Sequence, residues 1–180
     1  MISEKNVSKT LDLVYIAVCA VLTAVCSWIS IPAVVPFTLQ TFAVFLVLEL
    51  IGGKRGTISI IVYILMAAVG LPVLSGFAGG PGALVGMTGG YILGFIFIGL
   101  IYMLGEKLFG RKLPVRIISM VLGLFICYAF GTAWFMTVYA RKTGPIGAGA
   151  ALSLCVIPFI IPDLLKISLA VMLAHRIRRA

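Results

Sequence analysis

Two side chains of opposite charge, Asp163 and Lys166, lie in the apolar stretch VIPFIIPDLLKISLAVMLAHRI, residues 156–177. A charge at the centre of a bilayer costs about 2.5–3.5 kcal/mol even on lenient insertion scales. Residues three apart share one helical face, and such a pair can donate and accept charge-assisted hydrogen bonds. Two interpretations are open: the floor of a pocket for a small polar solute, which we favour because intramembrane charges usually line a cavity, and a self-neutralising structural ion pair.

A second polar candidate is Gln40, in the segment FTLQT at the start of a predicted helix. Its amide offers both a donor and an acceptor to a ligand, although capping of the helix end is an equal alternative. Trp28 and Tyr91 could contact a ligand ring, and aromatic belts at a membrane interface would explain them equally well.

The segment GMTGGYILGF, residues 86–95, opens another predicted helix. Thr88 could cap this helix, and Gly89 and Gly90 would then leave their N–H groups open to an anion. The alternative is a glycine-rich turn followed by close helix packing through small residues.

Several kinds of chemistry have no matching residues. The four cysteines lie in apolar segments without C-x-x-C spacing, and His175 stands among arginines without neighbouring ligands, so we expect no metal site. The glycine-lysine segment GGKRGT lacks the order of a P-loop, and no serine or cysteine nucleophile motif is present. We therefore predict that the chain is not an enzyme and does not hydrolyse ATP itself.

The elements that must position these side chains are membrane helices. Because 62% of the 180 residues are hydrophobic and 11% are charged, the apolar surface exceeds what a small soluble core can bury. We predict a single all-α integral-membrane domain, residues 1–180. Six apolar segments predict six transmembrane helices, at residues 11–31, 39–52, 57–75, 89–108, 114–140 and 150–174.

The basic residues orient this bundle. Eleven of the fourteen lysines and arginines fall in the N-terminal arm, the second-to-third link, the fourth-to-fifth link and the tail, whereas the opposite links hold only Arg141 and Lys142. The positive-inside rule therefore predicts that both termini are cytoplasmic. The same flanking residues explain the net charge of +9 without nucleic-acid binding.

The first two links on the outer side, IPAVVPFTL and SGFAGGPGALVGMTGG, carry no charge. Loops that stand in water are normally polar, so we expect both to fold back over the outer half of the bundle. For the glycine-rich second link, a flexible linker is the alternative to a lid, and we favour the lid because phenylalanine, leucine and valine are interspersed among the glycines.

On the first helix, Ala17, Ala20 and Ala24 form a small-residue face. Such a face lets another helix approach closely, and that helix could belong to the same bundle or to another protein.

Together, FTLQT, LPVLSGFAGGPGALVGMTGGYILGF and IPDLLK resemble the BioY family, in the family's order and across nearly the whole chain. Members of this family are the substrate-binding, or S, components of energy-coupling factor (ECF) transporters that take up biotin in prokaryotes. One departure is Met87, where the family pattern leads us to expect proline, but it removes no polar ligand group. The resemblance implies a multi-pass protein of the prokaryotic cell membrane that binds biotin and needs no cofactor.

The resemblance also implies partners and site residues. The partners are a transmembrane coupling subunit, which would meet Ala17, Ala20 and Ala24, and two cytoplasmic ATPases that use the ATP. The expected biotin-binding residues are Asp163, Lys166, Gln40, Tyr91, Gly89 and Gly90.

For the pose of biotin, we expect the ureido N–H groups to donate to Asp163 and the ureido carbonyl to accept from Lys166. The carboxylate tail would then point outward, towards Gly89–Gly90 or the basic residues Arg141 and Lys142, while the opposite pose, with the tail on Lys166, stays open. Three alternative functions also stay open: an S component for another vitamin, a small proton-coupled carrier in which Asp163 titrates, and an assembly subunit that binds no solute.

Overall fold

The structure is a computed structural model that describes residues 4–179, with side chains from residue 9. The described chain contains seven α-helices and one short strand pair. In chain order the elements are α1 Glu4–Trp28, β1 Ser30–Ile31, β2 Phe37–Thr38, α2 Gln40–Ala68, a 3₁₀ turn Ser75–Phe77, α3 Pro81–Leu84, α4 Gly89–Phe109, α5 Leu113–Lys142, α6 Ala148–Cys155 and α7 Ile157–Ile177.

Four helical stretches of the described residues are long and apolar enough to cross a membrane. These are Lys9–Trp28, Gly89–Phe109, Leu113–Lys142 and Ala148–Ile177. The prediction of an all-α chain with several candidate membrane spans is confirmed at this level.

Helix α2 folds back on itself at Gly52, whose φ of 82° and ψ of 168° lie outside the helical region. Gln40 Nε2 donates to the Tyr63 hydroxyl at 2.7 Å across 23 residues, a separation that would be about 35 Å along a straight helix. The predicted segments 39–52 and 57–75 are therefore the two arms of a helical hairpin. The second arm ends at Ala68, short of its predicted end.

The sequence of this turn suits its geometry. A Cβ at Gly52 would collide with the Arg111 guanidinium, and the positive φ favours glycine independently. A Cβ at Gly53 would meet the backbone of Met103 in α4. The break leaves the Gly53 N–H without a helical acceptor, and the Glu106 carboxylate accepts it at 2.7 Å. The turn is thus completed by α4 rather than by water.

The predicted last segment, 150–174, is two helices rather than one. The backbone leaves helical geometry at Val156, with φ −126° and ψ −56°. Pro158 follows in the first turn of α7, where a missing N–H costs no hydrogen bond. Pro162 lies inside α7, one residue before Asp163. The prolines therefore place the charged pair in the first turns of a new helix.

The links that the sequence predicts as a lid are partly ordered into short elements. Strands β1 and β2 pair antiparallel, with Ser30 opposite Thr38. Trp28 Nε1 donates to the Pro72 carbonyl at 2.8 Å, and the Trp28 ring stacks on Phe77 at a centroid distance of 5.1 Å. Residues of both links lie at the same end of the bundle, where they line one cavity.

Candidate functional site

A cavity of about 300 Å³ lies at the end of the bundle that carries the strand pair and α3. Side chains from α2, α4, α5 and α7 and from the two folded-back links line it. Most of its wall is apolar, with Leu74, Ile92, Phe95, Leu124 and Phe159 among the lining residues. Its volume is at the lower end of the range typical of small-molecule sites.

Asp163 and Lys166 form the polar floor of this cavity. They are 2% and 5% exposed, and Lys166 Nζ lies 2.8 Å from Asp163 Oδ1. Thr41 donates its hydroxyl to the same oxygen at 2.9 Å, and Tyr128 donates to Oδ2 at 2.6 Å. Three helices therefore fix the carboxylate, while its Oδ2 keeps the capacity to accept a further hydrogen bond.

The ammonium of Lys166 has an acceptor for each of its three protons. Besides Asp163, it donates to the Thr38 carbonyl at 2.7 Å and to the Thr41 hydroxyl at 2.9 Å. The Phe37 ring lies beneath it, with its centroid 4.4 Å from Nζ, a favourable cation–π geometry. A ligand carbonyl that accepts from Lys166 must therefore replace one of these acceptors.

Gln40 lines the cavity from the first turn of α2. Its Nε2 donates to the Tyr63 hydroxyl, which in turn donates to the Val73 carbonyl at 3.0 Å. Its Oε1 accepts no hydrogen bond from any described residue, so it can accept from a ligand. Thr38 Oγ1 accepts the Gln40 backbone N–H at 3.2 Å, so Thr38 supplies the local cap while the Gln40 amide lies among the lining groups.

Tyr91 contributes an aromatic wall. Its hydroxyl pairs with Thr132 at 2.9 Å, which leaves the ring rather than the hydroxyl as the group to pack on a ligand. Cys127 and Cys155 line the cavity beside it.

Gly89 and Gly90 are buried but do not line the cavity. The Gly89 N–H already donates to the Gly86 carbonyl at 3.1 Å, and a Cβ at Gly90 would overlap Trp134. Thr88 occupies the cap position of α4 but makes no capping hydrogen bond through its side chain. The Gly89 amide is therefore not open to a ligand, and the two glycines let α4 pack closely on α5 and on the preceding link.

The predicted small-residue face of α1 is divided by the structure. Ala20 and Ala24 are 0% and 3% exposed and belong to the chain's own core, whereas Ala17 is exposed. Ser59 in α2 donates to the Ile16 carbonyl at 2.9 Å and ties the two helices together. Ala20 and Ala24 therefore pack inside the bundle, and Ala17 is the member of this face that another protein can reach.

Sequence reasoning did not single out Thr41 or Tyr128. Thr41 lies within the FTLQT motif, but its contact with Asp163 depends on how α2 packs against α7. Tyr128 gave a weaker signal, a phenol in the middle of a long apolar segment, where a buried hydroxyl requires a partner. Neither partner can be read from spacing along the chain.

This arrangement can bind a small molecule that carries a polar head and an apolar body. Desolvating two opposite charges is expensive, and a buried ion pair often adds little stability. Hydrogen bonds to charged groups are shorter and stronger than neutral ones when water is excluded. Among the described residues no group of three or more histidine, cysteine, aspartate or glutamate side chains could hold a metal ion.

Comparisons with known proteins identify relatives of the chain. A family model described as the BioY family matches residues 3–180. The probable biotin transporter BioY of Pyrococcus horikoshii is 36% identical over 171 residues, which cover 94% of this chain and 98% of that protein. The biotin transporter BioY of Thermotoga maritima is 39% identical over 160 residues, covering 88% and 90%.

One solved structure has the same fold. It is the crystal structure of the S-component for biotin from an ECF-type ABC transporter, with a TM-score of 0.83 and 27% sequence identity. The match covers 99% of this chain and 96% of that one.

Proposed function

The chain belongs to the BioY family, and we propose that it is the biotin-binding membrane subunit, the S component, of an ECF-type vitamin importer. It is a transport protein and not an enzyme. The observation that carries this function is the 300 Å³ cavity with Asp163 and Lys166 at its floor. Biotin combines a polar ureido ring with an apolar thioether ring and tail, which matches the charged floor and apolar walls.

We propose that the ureido ring binds at the floor. Asp163 Oδ2 and Gln40 Oε1 both have free acceptor capacity and would accept the two N–H groups. Lys166 would donate to the ureido carbonyl by releasing the Thr38 carbonyl. Tyr91 and the apolar walls would cover the thioether ring, and the tail would point to the mouth of the cavity.

This pose and its reverse predict different ligand selectivity. Biotinamide keeps both rings of biotin and has a neutral tail. If the ureido ring lies at the floor, biotinamide binds within a few-fold of biotin. Loss of biotinamide binding would instead place the carboxylate tail on Lys166.

For the topology we propose six membrane crossings: α1, the two arms of α2, α4, α5, and α6 with α7 together. Both termini would then be cytoplasmic in the prokaryotic cell membrane, and biotin would enter from the outer face. This proposal rests on the fold-back of α2 at Gly52 and on the eleven basic residues at one side of the bundle.

For transport we propose that a transmembrane coupling subunit and two cytoplasmic ATPases drive the loaded bundle, so that the chain itself carries biotin and no cofactor. Contact through α1 would use Ala17 and its exposed neighbours, because Ala20 and Ala24 lie in the core. Ala17→Trp should block assembly with the coupling subunit and leave biotin binding unchanged. Normal assembly of that variant would remove α1 from the interface.

The test of the function is calorimetry of the purified chain with biotin and a panel of other vitamins. Biotin should bind in preference to the others, and Asp163→Asn and Lys166→Met should each weaken binding. Ser168→Ala is the matched control, since this exposed serine of α7 bonds only the Leu164 carbonyl. Preference for another vitamin would reject biotin specificity, and wild-type affinity in both cavity variants would reject the site.

A further inference from the structure

A second concavity lies at the other end of the bundle, between α4 and α5. It is an open groove of about 440 Å³. Its walls are matching stripes spaced three and four residues apart, Ile101, Leu104 and Leu108 on α4 and Val115, Ile118 and Leu122 on α5. None of these residues contributes to the biotin cavity, so the proposed function does not account for the groove.

The floor of the groove holds an unused polar group. Ser119 is 6% exposed and lines the groove, yet its hydroxyl makes no hydrogen bond with any described residue. Gly105 faces it from α4, and a Cβ there would collide with the Ser119 hydroxyl. The helices touch at this floor, and the hydroxyl is left to bond with whatever fills the groove.

The lining of the groove favours a hydrocarbon chain. Apart from Gly105 and Ser119, every lining residue is a leucine, isoleucine, valine or phenylalanine. An extended acyl chain is slender and matches such a wall.

Two lysines lie close in sequence to the groove: Lys107 directly precedes the lining residue Leu108, and Lys112 lies three residues before the lining residue Val115. Lys107 near the end of α4 and Lys112 just before α5 are exposed, and neither forms an ion pair with another described residue. Arg111 between them is already paired with Glu106 at 2.7 Å. Two free ammonium groups beside an apolar groove complement an anionic phosphodiester, and basic residues next to the membrane attract anionic lipids.

We propose that the α4–α5 groove is a binding site for one anionic phospholipid. An acyl chain lies in the groove, Ser119 donates to an ester carbonyl, and Lys107 and Lys112 hold the phosphate. This site is separate from the biotin cavity and does not depend on what that cavity binds.

The test is native mass spectrometry of the full-length chain in detergent, titrated with dioleoyl phosphatidylglycerol or dioleoyl phosphatidylcholine. The anionic lipid should bind about tenfold more tightly. The double variant Lys107→Gln/Lys112→Gln should lose this preference, while the control Lys9→Gln/Lys54→Gln, which removes two charges elsewhere, should keep it. Ser119→Ala should weaken both lipids by about threefold, and all variants should bind biotin as wild type does.

Leu122→Trp, at a 52% exposed wall position, locates the lipid in vesicles. Its fluorescence should be quenched more by brominated phosphatidylglycerol than by brominated phosphatidylcholine, whereas Leu165→Trp, 59% exposed on α7, should respond equally to both. Equal affinity for the two lipids, or equal losses in the two lysine double variants, would overturn the proposal. A Leu122→Trp side chain that neither lipid quenches would also overturn it and would indicate that a protein helix covers the groove.

Discussion

Two buried carboxylate–cation pairs lie at opposite ends of this bundle and have different surroundings. Asp163 pairs with Lys166 within α7, beside an open cavity. Glu49, which is 1% exposed, pairs with Arg116 across α2 and α5 and accepts the Tyr102 hydroxyl at 3.1 Å, and neither member of the pair lines the cavity. The two sites share residue chemistry. Only Asp163 and Lys166 lie beside a cavity, so this pair can recognise a ligand, whereas Glu49 and Arg116 join two helices.

Removal of the Arg116 cation should have the largest effect. Arg116→Met would leave Glu49 buried without its cation, and the free energy of unfolding should fall by about 3–5 kcal/mol. Thermal unfolding in detergent measures this loss, and biotin affinity of the folded fraction should be unchanged. Arg55→Met is the control, because its pair with Asp12 is partly exposed and should contribute at most about 1 kcal/mol. A change in biotin affinity would mean that the two ends are coupled.

Neutralising the carboxylates should separate the two pairs by readout. Asp163→Asn should weaken biotin binding by about 10- to 100-fold, since hydrogen bonds to charged groups contribute about 1.5–3 kcal/mol. Glu49→Gln should lower thermal stability and leave the calorimetric affinity unchanged. Wild-type affinity in Asp163→Asn would assign this pair, too, to structure alone.

Each carboxylate has a tyrosine donor, which provides a matched pair of smaller changes. Tyr128→Phe removes the 2.6 Å hydrogen bond to Asp163 and should weaken biotin binding by about tenfold, because the carboxylate loses its orientation. Tyr102→Phe removes the bond to Glu49 and should cost about 1 kcal/mol of stability with no change in affinity. Equal effects of the two variants on both readouts would erase the distinction.

The smallest effect is expected at Thr41, which bridges Asp163 and Lys166. Thr41→Val should weaken biotin binding by about threefold, since the pair keeps its direct contact. Thr41→Ser retains the hydroxyl and should restore the affinity in the same calorimetric titration. Failure of serine to restore it would assign the effect to packing of the methyl group.

The helices were predictable where a long apolar run ends in charged or glycine residues. The predicted segments 89–108 and 114–140 lie within two residues of α4 and α5. The boundary at Gly52 was also visible in the sequence, but the direct fold-back depends on Glu106 from another helix. The break at Val156 was not predicted, because the apolar run continues through it.

Part of the site could be predicted from residue type alone. Charges in an apolar segment identify Asp163 and Lys166 from sequence alone. The same rule identifies Glu49, which lies in the apolar run FLVLEL. Thr41 and Tyr128 are ordinary residues for their segments, and packing of α2, α5 and α7 assigns them to Asp163. The interior position of Ala20 and Ala24 likewise depends on packing, because a small-residue stripe fits a neighbouring helix of any origin.

The tight turn at Gly52 has a practical consequence for sidedness experiments. A protease or an inserted reporter tag needs several residues of free backbone, and here the neighbouring amide is held by Glu106. Around Gly144 and Gly147 an added Cβ would meet nothing within 4 Å. Tags in residues 144–147 should therefore report on which side of the membrane that link lies, whereas a tag between the two arms of α2 would report misfolding.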